Sequence, residues 1–191
     1  MLSNTAIKSL YFGLIHDKIK IILSRTEKTE LTFDILDSER SKQGKIAALH
    51  EKQRQMKVGE IMQMVLGNYD KFENLGTSHS TGLDIISKDR KIIAEIKNRT
   101  NTDNAASRKT NRDKLAKFKK THPEYECIYG MINTANKKKT MAGSVKTITH
   151  DGVEIKEYVG MALLRHILGE DTEAVVEFVK KTIDEHIILA A

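Results

Sequence analysis

Apolar residues recur along this chain with two different periods, and the period changes near the middle. Ile7, Leu10, Tyr11, Leu14, Ile15, Ile19, Ile22 and Leu23 follow one another at three- and four-residue spacing, which predicts a helix with a buried side. A longer helix is predicted over residues 41–66, with Ile46, Leu49, Met56, Ile61, Met64 and Val65 as its apolar positions and Gly67-Asn68 as its stop. Residues 75–80, rich in Gly, Thr and Ser, read as a loop. Two short isoleucine-rich runs follow, 83–87 and 91–97. Lys88-Asp89-Arg90 between them is a polar tip of hairpin length, without the favoured Asn-Gly turn.

Beyond the hairpin, residues 105–121 read as a basic helix with Leu115 and Phe118 on its inner side, ended by Pro123. Residues 125–132 are a buried strand candidate, and Lys137-Lys138-Lys139 marks an exposed loop. The runs 145–148 and 153–158 flank His150-Asp151-Gly152, a stronger hairpin signal because Asp-Gly suits a type I′ turn. Two helices close the chain, 161–168 and 172–189, the second with Val175, Phe178, Val179, Thr182 and Ile183 on one face. The order helices, hairpin, helix, strand, hairpin, helices predicts a mixed β-sheet flanked by helices, an α/β or α+β fold. One domain over 1–191 is expected, with N-terminal helices to 68, a core at about 69–135 and a C-terminal hairpin and helices from about 145. No internal repeat or low-complexity linker interrupts it.

Composition adds little to the fold but something to the function. Hydrophobic residues are 39% and charged residues 30%, the balance of a folded protein with an ordinary core. Cys127 is the single cysteine, which excludes an internal disulfide or a cysteine-rich zinc site. No signal peptide is expected from residues 1–10, and the apolar runs are too short for a membrane span, so a cytoplasmic location is expected. Charge is unevenly placed. Residues 97–139 hold 12 Lys/Arg against 4 Asp/Glu, a local +8, so the rest of the chain nets −2 of the total +6. Residues 151–191 net −5, with 4 basic and 9 acidic side chains. Such concentration suits a surface that tracks a phosphate backbone, although a solvated helix face has the same composition.

The first hairpin carries the candidate chemistry. Asp84 falls in its first strand, and Glu95 and Lys97, two apart in the second, leave the same face. The neighbours are apolar: Leu83, Ile85 and Ile86, then Ile92, Ile93, Ala94 and Ile96. Charges in such runs are costly to bury unless they meet a partner or a metal. A hard divalent cation relieves the repulsion between two carboxylates, and magnesium takes a few carboxylate oxygens with water and substrate phosphate. That unit suits phosphodiester hydrolysis, with Lys97 placed to orient the attacking water. An ordinary ion pair between Glu95 and Lys97 is the plainer alternative. Glu60 lies in line with Met56 and Met64, four residues to either side, and is either a further acid of the site or a helix-edge glutamate paired with a lysine such as Lys57.

Lys57-Val-Gly-Glu60, Gly82-Leu-Asp84-Ile and Ile93-Ala-Glu95-Ile-Lys97-Asn98 resemble type II restriction endonucleases of the PD-(D/E)xK superfamily. The stretch from Glu95 to Thr102, and then from Asn104 to Leu115, is most similar to the group that cuts GGNCC sites. The resemblance covers about residues 58–118. It implies a magnesium-dependent, sequence-specific double-stranded DNA endonuclease that leaves 5′-phosphate ends and works as a homodimer. It carries catalytic roles onto Asp84, Glu95 and Lys97, a supporting role onto Glu60, and a magnesium set of Asp84, Glu95 and Ile96. Leu83 stands where the motif's proline would precede Asp84. A structure-specific nuclease of the same fold and a DNA-binding module with a vestigial site are the alternatives.

Asn98, Arg99, Thr100, Asn101, Thr102 and Asn104 follow the second strand directly and are candidates to read base edges, since Asn pairs with adenine and Arg with guanine. A polar loop capping the next helix is the alternative. Arg108, Lys109, Arg112 and Lys117, with Lys119 and Lys120, are expected at phosphates. Of seven scattered histidines only His79 is near the proposed site, and it reads as a loop residue.

Overall fold

In the computed structural model, which describes residues 5–25, 38–76, 78–99 and 104–189, the first apolar stripe becomes helix α1 (Thr5–Ser24). Only half of the stripe is buried. Tyr11, Ile15, Ile19 and Ile22 face the core, whereas Ile7, Leu10 and Leu14 are 46%, 74% and 43% exposed. The segment holds two apolar faces, and its spacing alone does not say which one packs inward. Helix α2 (Glu39–Gly67) starts at Ser38, whose hydroxyl accepts a hydrogen bond from the Ser41 N–H at 3.2 Å. Its buried residues begin only at Ile61. Met64 is buried and Met56 is 55% exposed, so the expected methionine stripe reaches the core at one end only.

The remaining elements alternate as β1 (Glu73–Asn74), β2 (Ile85–Ser87), β3 (Ile92–Arg99), α3 (Ala105–Thr121), β4 (Glu126–Asn133), α4 (Lys137–Ala142), β5 (Ser144–His150), β6 (Val153–Val159), α5 (Met161–Leu168) and α6 (Thr172–Leu189). One six-stranded sheet results, in the order β1-β2-β3-β4-β6-β5. The central pairs β3–β4 and β4–β6 are parallel and the outer pairs antiparallel, so the sheet is mixed and flanked by helices as expected. Helix α3 covers one face over Leu83, Ile86, Ile93, Leu115, Tyr125 and Cys127. Helices α1, α2, α5 and α6 cover the other. No described helix is long and apolar enough to cross a membrane.

The second hairpin forms as its Asp-Gly turn predicts, with Asp151 at φ 52° and Gly152 at φ 78°, both in the left-handed region a type I′ turn requires. Two expectations change. The lysine run Lys137–Lys139 opens a short helix rather than a loop, because the Asn136 side chain accepts the Lys139 N–H at 3.2 Å. The strand expected over 83–87 shortens to Ile85–Ser87, so Asp84 sits just ahead of β2. Gly82, at φ 61°, turns the chain there. Asp84 keeps its main-chain contacts, donating to Ala94 O at 3.1 Å and accepting from Leu75 N at 2.8 Å.

Candidate active site

The end of β2 leaves β3 with an open edge at Ile96, and two side chains fill it. Asp84 Oδ2 accepts the Ile96 N–H at 2.6 Å, so the carboxylate stands in for the missing rung of the ladder. The Ile96 carbonyl accepts from Gln63 Nε2 of α2 at 3.0 Å. Glu95 and Lys97 flank this residue on the face that α3 covers, and Lys97 Nζ lies 2.5 Å from Glu95 Oε1. Glu95 is 3% exposed, and its second oxygen, Oε2, is buried without a hydrogen-bond partner.

An ionised oxygen left alone in a low-dielectric site is expensive, and natural proteins keep such atoms for a reason. The neighbouring acid reports the same stress. Burial first, and the Glu95 charge second, push the Asp84 carboxyl up to about 6, against relief from the Ile96 N–H, Lys97 and Lys114. Both observations fit a divalent cation, which would satisfy Glu95 Oε2 and remove the repulsion on Asp84. Ile96 can offer such an ion only its main-chain carbonyl. Among the described residues no cluster of three or more His, Cys, Asp or Glu side chains could hold an ion. The available set is therefore two carboxylates and a carbonyl, with the remaining positions left to water and substrate oxygens.

A cavity of about 860 Å³ opens at this edge between α1, α2 and β3, with Asp84, Ile96, Lys97 and Asn98 in its wall. Glu60 lines it too, but its carboxylate meets Arg25 Nη1 at 2.5 Å and its side chain is 46% exposed. Lys57, offered above as its partner, instead caps α1 through the carbonyls of Leu23 and Arg25 at 2.9 and 2.7 Å. Gln63, one turn further along α2, touches β3 as well; it is the one polar residue in the apolar run from Ile61 to Leu66, and that placement is the mark it leaves in the sequence.

The candidate DNA contacts divide into several groups. Asn98 donates to Gln55 O at 2.8 Å and accepts from Asn133 Nδ2 at 2.9 Å, so it ties β3 to α2 and β4. Asn104 caps α3 by accepting the Ser107 N–H at 2.8 Å. Arg112 is turned inward onto buried Glu157, with its Nε 2.9 Å from Oε1, and Lys146 holds the other oxygen at 2.8 Å. Lys119 caps the end of α3 on Pro123 O and Tyr125 O. Lys120 pairs with Asp151 at 2.5 Å and Lys109 with Asp113 at 3.0 Å, both on the surface. Arg108 and Lys117 stand on α3, Lys117 exposed. The Arg99 side chain, Thr100, Asn101 and Thr102 lie outside the described residues. His79 is exposed and bonds Thr81 at 2.8 Å. Sequence reasoning also passed over Asn111, which is buried on α3 beside Lys97.

No curated protein and no solved structure matches this chain. A family model described as Eco47II restriction endonuclease matches residues 2–181, nearly the whole length, and the chain belongs to that family of type II restriction enzymes.

Proposed function

We propose that this restriction enzyme is a magnesium-dependent nuclease of the PD-(D/E)xK type that cuts double-stranded DNA at GGNCC sites and leaves 5′-phosphate ends. The observation that carries the metal reading is the buried, unpartnered Oε2 of Glu95 next to an Asp84 whose proton is held unusually tightly. Asp84, Glu95 and the Ile96 carbonyl would hold the ion. Bound there, magnesium supplies positive charge to the scissile phosphate and acidifies a neighbouring water. Lys97 donates hydrogen bonds that orient the attacking water and offset the charge gathering on phosphorus. Water oxygen joins phosphorus, the bond to the 3′ oxygen breaks, and that oxygen takes a proton. Glu60 shapes the cavity wall through Arg25. Cutting both strands of a site that reads alike on each most simply needs two copies related by a twofold axis, so the enzyme acts as a homodimer.

The experiment is digestion of a DNA of known sequence with magnesium or with EDTA, followed by sequencing of the ends. Discrete fragments ending at GGNCC with magnesium alone are expected. Asp84→Ala, Glu95→Ala and Lys97→Ala should each abolish cutting while the protein stays folded, because the three act as one unit. Full activity in EDTA removes the metal from the mechanism. Discrete ends elsewhere keep the chemistry and change the site.

A further inference from the structure

A second cavity, of about 580 Å³, lies on the other side of Lys97, along the first two turns of α3. Lys97, Asn104, Ala106, Ser107, Thr110 and Asn111 line it. Asn111 is 6% exposed, yet its amide makes no hydrogen bond with any described residue. Ser107, one turn back on the same face, is partly exposed and lines the same cavity. Thr110 differs, since its hydroxyl is turned back to Ala106 O at 3.1 Å. The amide atoms are not sealed from solvent, so the side chain lies in the cavity wall with its hydrogen bonds open to a polar ligand.

The chemistry of the lining says what that is. Among the described residues it offers an amide, a hydroxyl and the Lys97 ammonium, at the positive end of a 17-residue helix, and no acidic side chain. The acid on α3, Asp113, is held away by Lys109 and His150 at 3.0 and 2.6 Å. A ligand made only of acceptors with negative charge fits, and a phosphate has that character. Lys97 lines both cavities, so an anion in the smaller one lies across Lys97 from Asp84.

We infer that Asn111, with Ser107, holds a DNA backbone phosphate adjoining the one that is cut, so that the strand is gripped on both sides of Lys97. The inference rests on the nuclease reading above. Its content is a positioning contact that carries no sequence information.

The test is a binding scan with calcium in place of magnesium, using a short duplex carrying the site mapped by end sequencing. In successive duplexes one phosphate near the scissile bond is replaced by a neutral methylphosphonate. A hydrogen bond to a charged group predicts that the wild type loses about tenfold in affinity at one position beside the scissile phosphate. Asn111→Leu should bind the unmodified duplex about tenfold less tightly and be insensitive to neutralisation at that position. Its thermal midpoint should equal or exceed that of the wild type, because no partner inside the protein is lost. Asn111→Asp, which sets a carboxylate against the phosphate, should bind more weakly still. Free inorganic phosphate that restores none of these differences assigns the site to the DNA backbone, whereas phosphate that protects the wild type and competes away the duplex at millimolar levels makes it a free-anion site and overturns the inference. A lowered midpoint in Asn111→Leu makes Asn111 a structural residue. Identical methylphosphonate profiles for both proteins overturn the inference alone, as do losses that follow a base change instead of a neutralised phosphate. A wild type that binds no duplex in calcium overturns the nuclease reading and this inference together.

Discussion

Replacing Asp84 with Asn should stabilise the metal-free protein at neutral pH, although it removes a candidate metal ligand. The Asp84 carboxyl is raised from 3.8 to about 6 in the folded chain, chiefly by burial and then by Glu95. A folded-state value above the unfolded one means that its favourable contribution is complete below about pH 4 and is lost as the pH rises through about 6. At pH 8 the ionised form is therefore a net burden. About two pH units at 1.36 kcal/mol each set an upper figure of ~3 kcal/mol. Asn keeps an acceptor for the Ile96 N–H, and the stronger bond to a charged acceptor is already contained in the raised value. The gain of at most ~3 kcal/mol corresponds to a rise of at most roughly 6–12 °C in Tm for a chain of this size. Thermal unfolding in EDTA measures it. The variant should melt higher at about pH 8, and the gap should close at about pH 5, where the wild type is protonated. Adding magnesium at pH 8 should raise the wild type alone. A variant that melts below the wild type at pH 8 in EDTA would refute the reasoning, because Asp84 would then be stabilised, not strained, by its surroundings.

Three further outcomes follow from the packing. Arg112→Ala should destabilise the protein by about 1–3 kcal/mol in denaturant unfolding, since it strips a partner from buried Glu157; Lys117→Ala should leave stability alone and reduce the salt slope of DNA binding by about one. Gly130→Ala should cost about 1–3 kcal/mol of stability in denaturant unfolding, because an added Cβ would lie 2.8 Å from Leu163 Cδ2 and 2.9 Å from Ile96 Cδ1, forcing these buried side chains to repack. Leu10→Glu should convert the proposed homodimer into a monomer in sedimentation if Ile7, Leu10, Leu14 and Ile21, all exposed on α1, are the face that meets the second copy; a variant that still sediments as a dimer places the interface elsewhere, and a wild type that sediments as a monomer removes it.

Features governed by neighbours in the chain were legible before the fold was known. The Asp-Gly hairpin followed from two residues that tolerate positive φ, and Asp84, Glu95 and Lys97 stood out as charges inside apolar runs. Features governed by contacts across the chain were not. Asn98 looked like a base reader because the carbonyl of Gln55 and the amide of Asn133, which engage it, lie 43 and 35 residues away. Arg112 looked like a phosphate contact because Glu157 lies 45 residues further on. Asn111 was invisible for a related reason: it is one polar residue among many on α3, and only the fold shows that it lies beside Lys97.

Helix α2 runs 29 residues, yet none before Ile61 is buried. Its outer part therefore lacks the tertiary packing that stabilises most helices, and Gly44, with nothing within 4 Å of where a Cβ would be, weakens it further. Such a segment opens on its own, without waiting for the domain to unfold. Backbone amides over 42–54 should exchange with solvent far faster than those over 61–67. Fraying from the outer end stops where the chain is gripped, and the grip at Gln55 is the side chain of Asn98, the residue after Lys97. At Gly59 the same side chain comes close enough that a Cβ would lie 3.3 Å from Asn98 Cβ. Local melting of a distant-looking helix is thereby joined to the strand that carries Lys97, and anything that orders the outer turns of α2 also stiffens the end of β3.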